Sequence, residues 1–223
     1  PCLLKLLENT NENNLDAEIS ILKNWDGRMS TDSVGASLFE VFFANWTKEV
    51  AAARFPANLV PLMAGAASGL STQLITEDPY DWFSPGERAK AAHRAMEKTI
   101  DDLYKDAGQD KSKWNWGAIH KVHLHHPLSE LGQIFNRLSR GGQGVGGSGI
   151  TVSNTGFDPN YLAVMGANYR LVADLSDDPP GLWAVDAAGQ SGNPGSVNYC
   201  DQLDSWMQNS QHFIALDRKQ VDE

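Results

Sequence analysis

The feature that most constrains this chain is a change in the period of its apolar residues near residue 113. Before that point they recur at helical spacing, about every 3.6 residues, and after it they alternate in short runs broken by glycine. A helical part at about 1–112 followed by a strand-rich part at about 113–223 predicts an α+β layer structure. The chain has 223 residues, 41% of them hydrophobic, with seven tryptophans, so it can bury a large core as one domain or as part of a larger one. No repeat at a solenoid period is present.

The helical part contains three strong signals. Leu15, Ile19 and Leu22 form the stripe of a short amphipathic helix that stops at "NWDGR", where Asp26-Gly27 marks a turn. From Ser33 to about Phe55, Leu38, Val41, Phe42, Ala44 and Trp46 are dense enough for a mostly buried helix, ended before Pro56. In "SPGE", Ser84 reads as an N-cap, Pro85 as the first helical residue and Glu87 as the partner in a capping box, opening a helix that runs to about Lys105. "EDPYDWFSPG" between them reads as a loop. In the second part, "IHKVHLHH" alternates, with Ile119, Val122 and Leu124 on one side and His123 and His125 on the other. "GITVSN", "YLAVMGANYRLVADL" and "GLWAVDA" also read as strands.

Charge narrows the partners. A formal net charge of −10 excludes the basic face that a nucleic acid or an anionic membrane requires, and no apolar run approaches the length of a membrane span. The start, "PCLLKLLENTNENN", has neither a basic n-region nor an initiator methionine, and its apolar run is too short for a signal peptide, so a processed or cut end is expected. Cys2 and Cys200 are the only cysteines; they read either as one bridge in an oxidising compartment or as two unrelated thiols. The sequon Asn45-Trp46-Thr47 falls in a helix and reads as accidental.

Three motifs invite chemistry. His120, His123, His125 and His126 lie within seven residues, but no HExxH or CxxC accompanies them, and a polar sheet face beside Trp114 and Trp116 explains them without metal. "GGQGVGGSG" has the G-x-G-x-x-G spacing from Gly142 to Gly147, yet "ITV" rather than a helix follows it, so a turn or close backbone packing is the better reading than a nucleotide loop. "GQSGN", with Ser191 at its centre, departs from the nucleophile-elbow spacing G-x-S-x-G at its last residue. Gly189, Gly192, Pro194 and Gly195 suit a tight turn instead, with Gln190 and Asn193 available to tie backbone groups together.

"AGQSGNPGSVNYCDQLDSW", taken whole, resembles the C-terminal signature of the penicillin acylase family of N-terminal-nucleophile amidohydrolases. The resemblance extends through "MGANYRLVADLSD", "GGSGITVSNTGFD", "WNWGAIHKVHLHHPL" and "LKNWDGRMSTDSVGASLFEVF", nearly the whole chain. It implies amide hydrolysis by chains cut from one precursor and folded as a four-layer αββα sandwich, of which this chain supplies helices and part of the sheet. It also implies a serine nucleophile at the N-terminus of the large chain, a periplasmic or secreted location that permits the Cys2–Cys200 bridge, and a small-molecule N-acyl amide substrate. Residue 1 is Pro1, which has no hydroxyl, and Cys2 is not terminal. The resemblance therefore places the catalytic serine, the oxyanion-hole asparagine and any calcium ligands on a partner chain or a missing segment, and this chain as the C-terminal portion of the large chain. No catalytic residue, cofactor or metal ligand is assigned within it. The signature residues are His126, Pro127, Asn154, Gly189, Gln190, Ser191, Gly192, Asn193, Pro194 and Tyr199, for which packing is favoured over lining the pocket. The alternative is a non-catalytic, degenerate acylase-like subunit or assembly module.

Overall fold

A computed structural model describes residues 1–8, 15–176 and 180–221. The chain divides into two compact units, Pro1–Ile119 and His120–Glu223. The first is helical: α1 (Cys2–Glu8), α2 (Asp16–Asn24), α3 (Val34–Ala52), α4 (Val60–Ala66), α5 (Ser68–Thr76), α6 (Glu87–Ala107) and α7 (Trp116–Ile119).

α3 and α6 form the centre of this unit. Ser33 begins α3 by accepting the Ala36 amide on its side chain at 3.1 Å, which satisfies one of the orphan donors of a helix start. Leu38, Val41, Phe42, Trp46 and Val50 are then fully buried along α3. α6 answers with Ala91, Ala92, Ala95, Met96 and Leu103, where the small alanines allow the two helices to approach. Each buried Val, Leu, Phe or Met contributes about 1.5–3 kcal/mol of transfer free energy. The Trp46 ring stacks on Phe42 and Phe83, and its Nε1–H donates to the Ser71 carbonyl at 2.8 Å, so the indole is buried without an orphaned donor. Asn45 is buried too and donates to Thr99 and Asp102, a structural role rather than a sugar acceptor's.

Three sequence expectations change here. α6 starts at Glu87, and the residue before it is Gly86 at φ 79°; the Ser84 carbonyl accepts the Glu87 amide at 2.9 Å, so "SPGE" is a turn ahead of the helix and Ser84 does not cap it. Trp114 and Trp116 belong to the helical unit, which ends at Ile119 rather than near 112: the Trp116 amide donates to Ser33 and the Gly117 amide to Thr31. Ile119 is therefore helical and does not lead the following strand.

The second unit carries two sheets. β1 (Lys121–Leu124), β2 (Arg140–Gly144), β3 (Thr155–Phe157) and β4 (Ala163–Gly166) form the first, in the order β2-β1-β4-β3. β1 pairs antiparallel with β2 and parallel with β4, and β3 pairs antiparallel with β4. β5 (Tyr169–Asp174), β6 (Gly181–Asp186) and β7 (His212–Phe213) form the second, antiparallel throughout in that order. Glycine in β2 has a steric cause: a Cβ on Gly141 would sit 2.0 Å from the Val122 carbonyl oxygen. The glycine run is thus a paired strand as far as Gly144, where the nucleotide fingerprint would need a loop entering a helix. "GITVSN" is not a strand; residues 150–153 form a turn and bends, Asn154 makes an isolated bridge to Ser148, and the strand begins at Thr155. Val122, Val145, Ala163 and Val185 join Leu203 and Trp206 of α8 (Leu203–Met207) in one apolar cluster. A last short helix, α9, spans Arg218–Val221. Cys2 and Cys200 are both free thiols.

Candidate functional site

The signature segment leaves β6 and returns as α8, and it is tied down at both ends. The Ala187 amide donates to Asn168, the Gln202 amide donates to Ala188, and the Gln202 side-chain oxygen accepts the Asp186 amide at 2.9 Å. Between these ends the polar residues bind the loop's own backbone. Gln190 donates to the Asp186 carboxylate at 3.1 Å, Ser191 Oγ accepts the Asn193 amide at 3.1 Å, and Asn193 Oδ1 accepts the Gly195 amide at 3.0 Å. The Asn193 carbonyl accepts the Ser196 amide, and Ser196 Oγ accepts the Asn198 amide. These are the local side-chain bonds that Ser and Asn form in turns.

Steric demand falls unevenly on its small residues. A Cβ on Gly189 would lie 2.5 Å from the Asn198 carbonyl oxygen and 2.7 Å from the Asp201 carboxylate, so the strand exit and the returning loop touch only because that side chain is absent. Gly192 has nothing within 4 Å of the same position, and Pro194 is exposed in the turn. Tyr199 anchors the far side: its hydroxyl donates to the Leu138 carbonyl at 2.7 Å, and the Arg140 guanidinium lies 4.7 Å from its ring centroid.

His126 and Pro127 start a 3-10 turn over Pro127–Leu131. His126 Nδ1 accepts the Leu128 amide at 3.1 Å, and its own amide donates to Ser139 Oγ. Asn154 closes the preceding glycine turn, with Nδ2 donating to the Gly149 carbonyl at 2.7 Å. Among the described residues no hydrogen bond joins Ser191 to an imidazole or a carboxylate, the minimum a serine nucleophile in mid-chain requires. His123 and His125 share a face with rings 5.9 Å apart, and His125 lies 3.6 Å from Glu130. Among the described residues no group of three or more His, Cys, Asp or Glu side chains is gathered as a metal site.

The best-enclosed polar group in this unit is His120, which the sequence presents only as one of a histidine cluster. It is fully buried, with Nδ1 2.8 Å from the Tyr161 carbonyl and Nε2 3.1 Å from Thr155 Oγ1. Burial pushes its pKa below the ordinary value, partly offset by the bond to Tyr161. The Tyr161 carbonyl only accepts, so the neutral tautomer carries its proton on Nδ1, while Thr155 Oγ1, beside Nε2, donates to the Gly146 carbonyl at 2.9 Å. Tyr161 delivers its carbonyl from a backbone at φ 63°, held by Asp158, whose carboxylate accepts the Asn160 and Leu162 amides. His120 thereby clamps β1 to the hairpin joining β3 and β4. Tertiary burial sets its role, and nothing local in "IHKVHLHH" separates it from its exposed neighbours.

The signature loop is a scaffold: Ser191, Asn193, Ser196 and Tyr199 bond backbone groups, and Gln190 bonds the Asp186 carboxylate. Comparison with known proteins accords with the motifs. The family described as Penicillin amidase matches residues 2–223. The acyl-homoserine lactone acylase QuiP of Pseudomonas putida is 29% identical over 222 residues, covering 89% of this chain and 26% of that protein. The penicillin acylase 2 proenzyme of Pseudomonas sp. strain SE83 is 27% identical over 193 residues, covering 82% of this chain and 24% of that one. The chain thus spans about a quarter of the length of these curated relatives. A thermostable penicillin G acylase from Alcaligenes faecalis shares the fold at a TM-score of 0.55 and 14% identity, over 99% of this chain and 43% of that one. This α+β chain, with its self-bonded signature segment and its two sheets, belongs to the penicillin amidase family.

Proposed function

We propose that the chain is the C-terminal framework of the large chain of an N-acyl amide hydrolase of the penicillin or acyl-homoserine-lactone acylase type, and that the nucleophile lies outside these 223 residues. One observation carries the reading: a chain matched by an acylase family over residues 2–223 has Ser191, the serine at the heart of its signature, committed to a backbone amide instead of a base. In this reading a serine at the N-terminus of the large chain attacks the acyl carbonyl. Its own α-amine, whose unperturbed pKa is near neutrality, takes the hydroxyl proton and passes it to the leaving amine. Fixed donors stabilise the oxyanion, and water then cleaves the acyl ester. In this reading any calcium is held by residues beyond this chain. The complete enzyme is exported to the periplasm or secreted; no helix among the described residues is long and apolar enough to cross a membrane.

The test is covalent. The complete enzyme is treated with a sulfonyl fluoride and the adduct is mapped by mass spectrometry, with turnover of a penicillin and of an N-acyl-homoserine lactone measured in parallel. The expected adduct sits on an N-terminal serine of another segment, with loss of turnover. An adduct on Ser191, or on any residue of this chain, overturns the assignment, and a complete preparation without amidase turnover or a reactive serine supports the non-catalytic module.

A further inference from the structure

Exposure is divided very unequally between the two units. Among the described residues, sixteen of the nineteen exposed large apolar side chains lie beyond residue 119. The densest stretch of them follows β5, the edge strand of the second sheet.

β5 pairs with β6 over all six residues, Tyr169↔Asp186 to Asp174↔Gly181, and no strand among the described residues pairs with its other edge. One face is apolar and open, with Tyr169 (52% exposed), Leu171 (49%) and Ala173; on the other, Val172 (52%) is exposed between Arg170 and Asp174. On that second face Phe213 of β7 is 50% exposed as well. An apolar strand face is ordinarily covered in a finished fold, and free edge strands are ordinarily blunted by Lys, Pro or a bulge. The six residues YRLVAD contain no Lys or Pro. Their one cation, Arg170, is turned inward, its guanidinium 4.2 Å from the Trp206 ring centroid and bonded to the Trp206 carbonyl. β5 is thus an unprotected edge strand with one open apolar face.

We infer that the free edge of β5 is a strand-pairing site, filled by an extended, alternately apolar segment of the acylase polypeptide lying outside these 223 residues. The inference rests on the acylase reading for its occupant. Two observations favour that occupant over a second copy of this chain. About three quarters of the length of the curated relatives lies outside the matched region, and a second copy would bring another charge of −10 to the same edge. Main-chain hydrogen bonds would supply the register, and Tyr169, Leu171 and Val172 would provide apolar contacts on both faces.

The experiment uses the complete acylase, assayed for amide hydrolysis on the same sample. Hydrogen exchange is followed for the outward amides of residues 169–174, those not bonded to β6. Pairing predicts exchange at least about 100-fold slower than in an unstructured peptide. Slower exchange by less than that, with the amides facing β6 still protected, overturns the inference. To identify the occupant, a photoreactive benzoylphenylalanine replaces Leu171 and its cross-link is mapped. Attachment to acylase sequence outside these residues supports the inference; attachment to a second copy, or within these 223 residues, overturns it. The two readings fail separately: an active enzyme with unprotected outward amides loses the strand site but keeps the acylase function, and protected amides without amidase turnover do the reverse.

Discussion

Single residues in this molecule act mainly through what they forbid or exclude. Gly189 is defined by an absent side chain, because a methyl group there would fall inside the van der Waals envelope of the Asn198 carbonyl and the Asp201 carboxylate. Gly189→Ala therefore destabilises the protein by about 1–3 kcal/mol, the range for forced overpacking, whereas Gly192→Ala, with open space around it, stays within about 0.5 kcal/mol; thermal unfolding of the two variants checks the contrast. His120 acts through charge exclusion. Its folded pKa lies below the unfolded value of about 6.5, so between those two values the unfolded state binds more protons. The stability contributed by the neutral imidazole is complete above the unfolded pKa and is lost as pH falls from about 6.5 through the folded pKa. The wild-type melting temperature should thus drop more steeply between pH 7.5 and pH 5.5 than that of His120→Gln, which does not titrate. Equal slopes would remove His120 as the responsible group.

At the scale of elements, α2 shows how an apolar stripe accommodates a charge. Leu15 and Leu22 are buried on the face the periodicity assigns them, and Glu18, between them, is buried as deeply. Its carboxylate is paired by Lys111, whose ammonium lies over the Tyr104 and Trp114 rings and whose pKa is raised chiefly by the bond to Glu18. Lys111→Met leaves a buried carboxylate without its cation and should cost about 2–4 kcal/mol in chemical denaturation, tempered by the partial exposure of Lys111. Adding Glu18→Gln should recover more than half of that loss, because the uncompensated charge is then removed. The helices legible from the sequence were those with a continuous stripe or a capping residue, such as α3 behind Ser33. α1 and α4, of seven residues each, are too short for a periodic pattern to distinguish them from connecting chain.

On the scale of the whole molecule, the helical unit hides its apolar residues and the strand-rich unit does not, as expected if a framework is completed by further polypeptide. A surface substitution normally changes stability by no more than about 0.5 kcal/mol. In the full-length protein, Val172→Lys should exceed about 1 kcal/mol in thermal unfolding, whereas Leu62→Lys in the helical unit, more exposed in the same structure at 71%, should remain near neutral. Similar small effects at both positions would mean that β5 stays open to solvent in that protein.

The sequence by itself determined the class of the fold, the Trp-Asp-Gly turn, the buried α3, and the family, because each of these rests on local spacing or on a run of ordered motifs. Only the tertiary structure decided that "SPGE" is a turn before the helix, that residues 150–154 do not extend into a strand, that one histidine of four is a buried clamp, and that Ser191 serves the backbone of its own loop. The reason is common to all four: hydroxyls, imidazoles and glycines take their roles from whichever groups the fold brings within about 3 Å, and those groups lie in segments that residue spacing along the chain does not reveal.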